Sequence, residues 1–538
     1  MTTATMEFLT HLDQLCEERK AAIRAAADTV TVTGTTYYVS NGGDDNSDGL
    51  TPETPWQTLS RVSDAQLSYG DCIRFKRGDL FRGQVKTKPG VTYAAYGEGE
   101  KPRFYGWDRS LADPALWEPY DEARRIWRLT EPILDCGTIV FNGGETHSHK
   151  LIPSYIGGRF VCREDESRLF DVATDMTRDL DMVCFYDERL TEIPTRGESF
   201  PIPVIDGESY GELYLRCDGG NPAEVFSEIE ALPRRRIFVL ACNPDVTVDN
   251  LCIKYTGDHA IAGGGQCLKG LTVTNCELGW IGGSIQHYYG TDPNYPEGGR
   301  GTVTRYGNAI EIYGGCDGYR VENCYIYQVY DAGITHQIST NGGFYALKNI
   351  RYAHNLMERC VYSIEYFLEK NGGDEASYME NCEICHNILR FSGFGWGQQR
   401  HNVSTPAHIK GWSYENTAKD FSVHHNLFDR AAYRMLHTVA RDPESCPALY
   451  GNTYVQTLGG MLGQYGGNRE AEPLVIPFDG DAERVLTEEW GEREPTVYGE
   501  SFNLEVGRRE YDRYEVGDTY TFKAYKGAFG KPFYLAEE

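Results

Sequence analysis

Two short patterns recur between residues 245 and 440. The first alternates apolar and polar positions and closes on Asn or His: VTVDNLCI (246–253), LTVTNCEL (271–278), YRVENCYI (319–326), IRYAHNLM (350–357), SYMENCEI (377–384) and FSVHHNLF (421–428). Period-two alternation over so few residues predicts strands, and the polar ends predict turns. The second sets a small residue before Ile and an outward position after it: HAIAGG, GSIQHY, NAIEIYGG, AGITHQ and YSIEYF. Its isoleucines, Ile261, Ile285, Ile310, Ile334 and Ile364, lie 24, 25, 24 and 30 residues apart. A repeat of that length built from short strands predicts a solenoid. The leucine-rich consensus is absent and no helical period alternates with the strands, so the expected fold is all-β, a parallel β-helix with one coil per 24–30 residues.

Outside the repeat, residues 1–34 predict an amphipathic helix with Phe8, Leu12, Leu15 and Ile23 near one face. Residues 35–108 are expected to form the first coils, 109–235 an inserted β-rich subdomain, 236–445 the main solenoid and 446–538 a β-rich cap over its last coil.

Composition narrows the function. Among 538 residues, 52 Lys and Arg face 79 Asp and Glu, a net charge of −27. Nucleic acid and anionic membranes are bound through Lys and Arg, so neither is an expected partner. No run reaches the length of a membrane span. The first residues lack a basic segment followed by an apolar one, which predicts a cytoplasmic protein whose 16 cysteines are reduced core thiols. The oligomeric state is left open, a homo-oligomer included.

The opening segments YYVSNGGDDNSDGLTPETPWQTL (37–59), GDCIRFKRGDLFRGQV (70–85) and PGVTYAAYGEGEKPRFYGW (89–107), followed by 211–251, resemble in their succession the start of pectate-lyase-like right-handed parallel β-helix proteins. The resemblance extends over about 37–440 and is greatest to the glycosidase branch containing β-xylosidases and α-fucosidases. It implies a right-handed coil, an inserted subdomain and activity on carbohydrate. The β-xylosidase-like pattern has an Asp two positions beyond the residue that aligns with Glu365; this chain has Phe367 there.

The residue after each repeated Ile is Ala262, Gln286, Glu311, Thr335 and Glu365. Successive coils lie about 4.8 Å apart, so these side chains should form one ridge carrying Glu311 and Glu365, with Asp331 at the strand edge. A glycosidase needs one carboxylic acid to protonate the leaving oxygen and a second carboxylate as base or nucleophile. Glu311, Asp331 and Glu365 are the catalytic candidates, and a coil between the two glutamates favours inversion. His287 and His336 follow the repeated Ile within polar segments. The loops 286–308 and 391–402 add Tyr289, Arg300, Trp396 and Arg400, and Gln337 and Lys410 complete the expected substrate-binding set. Long insertions predict exo-action on a short neutral oligosaccharide or glycoside. A polysaccharide lyase or uronate epimerase, with Arg305, Lys410 and Arg400 neutralising a uronate, is the second reading. A non-catalytic carbohydrate-binding solenoid is the third.

No cofactor is expected. DDNSDG (44–49) imitates half an EF-hand loop, but its twelfth position is Pro55; it reads as a turn, with structural Ca²⁺ as the lesser alternative. CEICH (382–386) matches the haem-attachment string, yet lies on a repeated strand. No second paired Cys motif accompanies it, so no metal is assigned and zinc is the lesser alternative.

Overall fold

The computed structural model describes residues 3–500 except 157–158, 163–164, 166, 178–182, 188–203, 206–207, 289–302, 372–375, 400–405 and 468–474. It is a right-handed parallel β-helix in which each full coil contributes a strand to three faces. One coil shows the plan: residues 310–314 lie on face A, 316–322 on face B, and Tyr325–Val329 on face C. The next coil returns through Ala332–Ser339, Ala346–Ala353 and Leu356–Glu358. Face C is ten parallel strands from Leu80–Arg82 to Thr496–Glu500. Faces A and B run together because some strands turn the corner unbroken. Gly265 and Gly314 make that corner with φ of 115° and 146°; a Cβ on Gly314 would meet the Gly265 carbonyl at 2.1 Å.

The isoleucine column is the core of face A. Ile261, Ile310, Ile334, Ile364, Ile409 and Leu436 pair in register on successive coils, and all are fully buried. Each contributes about 2–3 kcal/mol by leaving water. Ile285 is not in this column. Ser284–Tyr288 pairs antiparallel with Val303–Tyr306 as a hairpin, and Ile261 pairs directly with Ile310. The small-residue–Ile pair thus opens an insertion here and not a coil, which also takes Gln286 off the ridge.

In five of the six segments the polar end sits at the corner between faces B and C: Asn250, Asn275, Asn323, His354 and His425 have positive φ there, between 51° and 62°. SYMENCEI is out of register with the others: Asn381 lies within the Tyr378–Cys385 strand, and His386, with φ of 56°, makes that coil's corner. Asn and His tolerate this conformation better than most residues. From His354 onward the next residue carries the ladder: Asn355, Asn387, Asn426 and Asn452 are buried and amide-bonded at 2.9–3.1 Å, ending on Glu492 at 2.8 Å.

The Thr3–Arg24 helix lies across face C. Leu12, Cys16 and Ile23 are buried against Tyr325, Leu356 and Ile388, with Phe8 and Leu15 alongside. All 16 cysteines are free thiols, and 14 are buried. No described helix is long and apolar enough to cross a membrane.

Three insertions leave the solenoid at the same corner, from face C to face A. The first follows Arg103–Tyr105 and carries a seven-stranded and a three-stranded sheet before Phe238–Ala241. The second contains the 284–306 hairpin, and the third follows Ile388–Arg390. They interlock. Ile285 N–H donates to Asp135, Arg305 Nη2 donates to Gly137 O at 2.9 Å, and Lys150 N–H donates to Gln399 at 3.1 Å. Stacked on one corner, they border the same edge of face A.

Candidate functional site

That edge carries the ridge. Ala262, Glu311, Thr335, Glu365, Lys410, His437 and Gln464 are paired one above another. Each follows an inward-facing residue, so strand alternation turns it outward. Glu311 and Glu365 are two rungs apart, about 10 Å between backbones at 4.8 Å per rung, with Thr335 between them.

Each glutamate has a nitrogen donor against it. His259 Nε2 contacts Glu311 directly, while Asn308 Nδ2 and Gln337 Nε2 approach its oxygens at 3.3 and 3.5 Å. Asn308 N–H donates to His259 Nδ1 at 2.9 Å, so the ring is a neutral imidazole that presents Nε2–H to the carboxylate. Burial works against a second proton on this ring, but Glu311 and Asp258 outweigh it and raise His259 above its ordinary value; taking that proton gives up the Asn308 bond. Asp258 is in turn held below its ordinary value despite burial by His259 and Arg236, whose Nε lies 3.4 Å away. Lys410 Nζ is 2.8 Å from Glu365 and 4.0 Å above the Tyr362 ring. Burial, Arg434 and Lys410 push His437 well below its ordinary value.

Asp331 stands at the corner, just before Ala332, whose N–H donates to Asn308 Oδ1 at 2.8 Å; the Asp331 carbonyl accepts from Tyr362 N–H at 3.0 Å. Thus Glu311, Glu365, Gln337 and Lys410 come together on one strip, with the Asp331 backbone at its corner.

A second outward column runs beside the ridge, two residues further along each strand. It reads Tyr313, Gln337 and Phe367, with Trp412 on the next coil. The Phe367 and Trp412 rings are 4.8 Å apart, Tyr313 and Phe367 6.4 Å, and Tyr313 is 42% exposed. An aromatic strip next to a polar ridge suits a ligand with one apolar and one hydroxylated face. Polar atoms of the ridge are left over as well. Thr335 Oγ1, Gln337 Oε1 and His437 Nδ1 are buried without a hydrogen-bond partner among the described residues.

Other candidates lie elsewhere. His336 is two residues beyond inward-facing Ile334 and therefore faces the core; it is fully buried, stacked on Tyr366, with Nδ1 2.9 Å from the Tyr352 hydroxyl. Burial alone drives it down to about 3, so it stays neutral. Trp396 is also fully buried, packed on Tyr330, near His147 and donating to Gln328 O at 2.8 Å. It seals the seam between insertions and offers no face to a ligand. Arg305 is buried under Tyr330, donating to Gly283 O and Gly137 O. His287 is within the 284–288 strand, but its side chain lies outside the described residues, as do Tyr289, Arg300 and Arg400. In DDNSDG, Asp45 and Asp48 accept hydrogen bonds from Gln57, Thr58, Leu50 and Thr54 of their own loop.

His259, Asn308, Tyr313 and Trp412 were missed by the sequence reading. His259 and Asn308 stand two residues before an Ile of the column and Tyr313 and Trp412 three after one; of these two columns only Gln337 was among the candidates.

No family model matches the chain. A lacto-N-biosidase of Bifidobacterium longum subsp. longum is 36% identical over 84 residues, a match taking in 14% of this chain and 5% of that protein. Among solved structures, a complex of XylC with xylose superposes with a TM-score of 0.41 at 12% identity, covering 87% of this chain and 83% of the other. A GH136 lacto-N-biosidase from Eubacterium ramulus gives 0.38 at 13%, covering 92% and 71%. A polygalacturonase from Erwinia carotovora gives 0.26 at 10%, covering 80% and 95%.

Proposed function

We propose that the protein is a glycoside hydrolase that cleaves a short neutral oligosaccharide or glycoside by inversion. The observation that carries this is the ladder Glu311–Thr335–Glu365 beside the aromatic column of Tyr313, Phe367 and Trp412. Inverting enzymes separate their carboxyl groups by about 6.5–9.5 Å to admit a water, whereas retaining enzymes hold them about 5–5.5 Å apart. Two rungs match the former once the side chains lean together. Glu311, in contact with His259 Nε2 and buried, is assigned the proton donor to the leaving oxygen. Glu365, ion-paired with Lys410, is suited to act as the base on a water that the spare Thr335 hydroxyl can bind. Asp331, at the corner, is the third acid in reach of the ridge. The insertions banked along one edge favour exo-action. The partial match to a lacto-N-biosidase supports an oligosaccharide substrate.

A uronate-directed reading loses two of its three cations. Lys410 is engaged by Glu365, and Arg305 is locked between carbonyl oxygens.

The test is a panel of aryl α- and β-glycosides and neutral oligosaccharides against the parent, Glu311→Gln and Glu365→Gln. Sugar release by the parent, reduced at least ~10²-fold in both variants with unchanged circular dichroism, is expected. A silent panel, or full activity in both folded variants, would overturn the proposal.

A further inference from the structure

A second cluster of chemically competent side chains lies at the corner between faces B and C, away from the ridge. Cys385 is the last residue of the Tyr378–Cys385 strand, His386 follows it in the left-handed turn, and His424 ends the next coil's Ala418–His424 strand. Cys385 and His424 are register partners, so their side chains leave adjacent rungs. One ligand-type atom from each of Cys385, His386 and His424 lies within 4.8 Å of the other two. His424 also has Nδ1 2.9 Å from His425 Nδ1 and Nε2 3.0 Å from Glu383. The His386 ring is stacked on His425 at 5.1 Å.

Backbone geometry does not account for this cluster. Asn250, Asn275 and Asn323 make the same turn with φ of 62°, 53° and 53°, whereas the three following coils use His354, His386 and His425 at 58°, 56° and 51°. An Asn would serve the turn equally well, so the change to imidazole adds nitrogen ligands that the fold does not require. The neighbouring charges are balanced: Arg351 is paired to Glu322 at 2.5 Å and to Glu383 at 2.6 Å, and Arg320 is paired to Glu322 at 2.8 Å. Arg351 Nη2 also lies 3.6 Å from Cys385 Sγ, a contact that favours the thiolate a metal requires. Cys385 and His424 are buried while His386 is exposed, which provides a rigid base and an open entry.

We propose that Cys385, His386 and His424 form a binding site for one divalent transition-metal ion of the zinc type. Imidazole and thiolate together select such ions over Mg²⁺ or Ca²⁺, which take oxygen ligands. Three protein ligands leave a fourth position, and Glu383 or His425 is placed to fill it or to orient His424 from behind. Binding displaces the Cys385 thiol proton to solvent, and the ion ties the 378–390 coil to the 418–429 coil. CEICH therefore supplies one ligating cysteine and not two: Cys382 lies in the hydrophobic core, which also rules out attaching a haem through both thiols.

The test is titration of the metal-stripped full chain with Co²⁺ alone, read by absorption and by equilibrium dialysis, then with Zn²⁺ in competition. The expected result is one Co²⁺ per chain, a thiolate-to-cobalt charge-transfer band, displacement by Zn²⁺ and a higher Tm with either metal. His386→Asn keeps the turn, as Asn275 and Asn323 show, and should weaken binding at least tenfold without lowering the Tm of the metal-free chain. Cys385→Ser should abolish the charge-transfer band. No binding by the parent with Co²⁺ in excess over chain would overturn the site. So would a band that persists in Cys385→Ser and disappears when exposed Cys242 and Cys267 are replaced, because the metal would then be held by those thiols.

Discussion

Glu277 joins the N-terminal helix to face C, and its titration can be worked through in numbers. Its carboxylate is buried, with Arg24 Nε at 2.8 Å, Lys254 Nζ at 3.0 Å and the Tyr327 hydroxyl donating at 3.2 Å. Burial works to raise it, but Lys254 and Arg24 outweigh burial and bring it from an ordinary 4.5 down to about 2. A carboxylate lowered in the folded state adds stability that is present above its unfolded value and lost as pH falls through the folded one. A shift from 4.5 to about 2, at about 1.4 kcal/mol per unit, contributes roughly 3 kcal/mol at neutral pH, of which about 2 is gone by pH 3. Glu277→Gln removes the charge and keeps the shape. In thermal melts the variant should lie several degrees below the parent at pH 7, and the gap should close by more than half at pH 3. A gap that stays constant with pH, or no gap at pH 7, would refute the assignment of this stability to the Arg24–Glu277–Lys254 contact.

Other outcomes follow from single side chains. Trp396→Ala should cost about 3–5 kcal/mol in stability, because the indole fills the seam between insertions; a well-folded variant with only a raised KM would return Trp396 to the groove. Trp412→Ala should raise KM about 3–10-fold with little change in kcat, the scale of one aromatic contact, and an unchanged KM would remove the aromatic column from substrate binding. His259→Asn leaves Glu311 without the ring nitrogen that contacts it. The parent's His259 is raised, so its contribution is present below about 6.5 and lost as pH rises through the folded value. The stability difference between parent and variant should therefore shrink at alkaline pH, as melts from pH 6 to 9 would show.

The solenoid was readable because its core is periodic. Five isoleucines at a near-constant interval gave the coil length, and four of them stack. The fifth, Ile285, shows the limit of spacing: a hairpin that opens with the same small-residue–Ile pair falls in step by coincidence, and only strand pairing separates the two. The ridge of Glu311, Thr335 and Glu365 was legible because register is inherited from the Ile column. His336 was misplaced against the same alternation, since a residue two beyond an inward Ile also points inward. Trp396 was beyond reach for another reason. Its burial depends on His147 and Tyr330, which an inserted subdomain and a separate coil bring to it from remote parts of the chain. In the ladder of Asn355, Asn387, Asn426 and Asn452, Asn355 and Asn426 lie one residue past His354 and His425, which stood out in the sequence, whereas Asn387 and Asn452 follow His386 and Gly451, outside the segments of the repeat. His354, His386, His425 and Gly451 are the left-handed turn.

The measurement that bears most directly on the central claim is proton NMR of the first sugar released from a substrate identified in the glycoside panel, recorded before mutarotation. Two rungs between Glu311 and Glu365 predict that the product first appears with the anomeric configuration opposite to that of the substrate bond. A first product of unchanged configuration would contradict a water-sized gap between these two carboxylates, and with it their assignment as the catalytic pair.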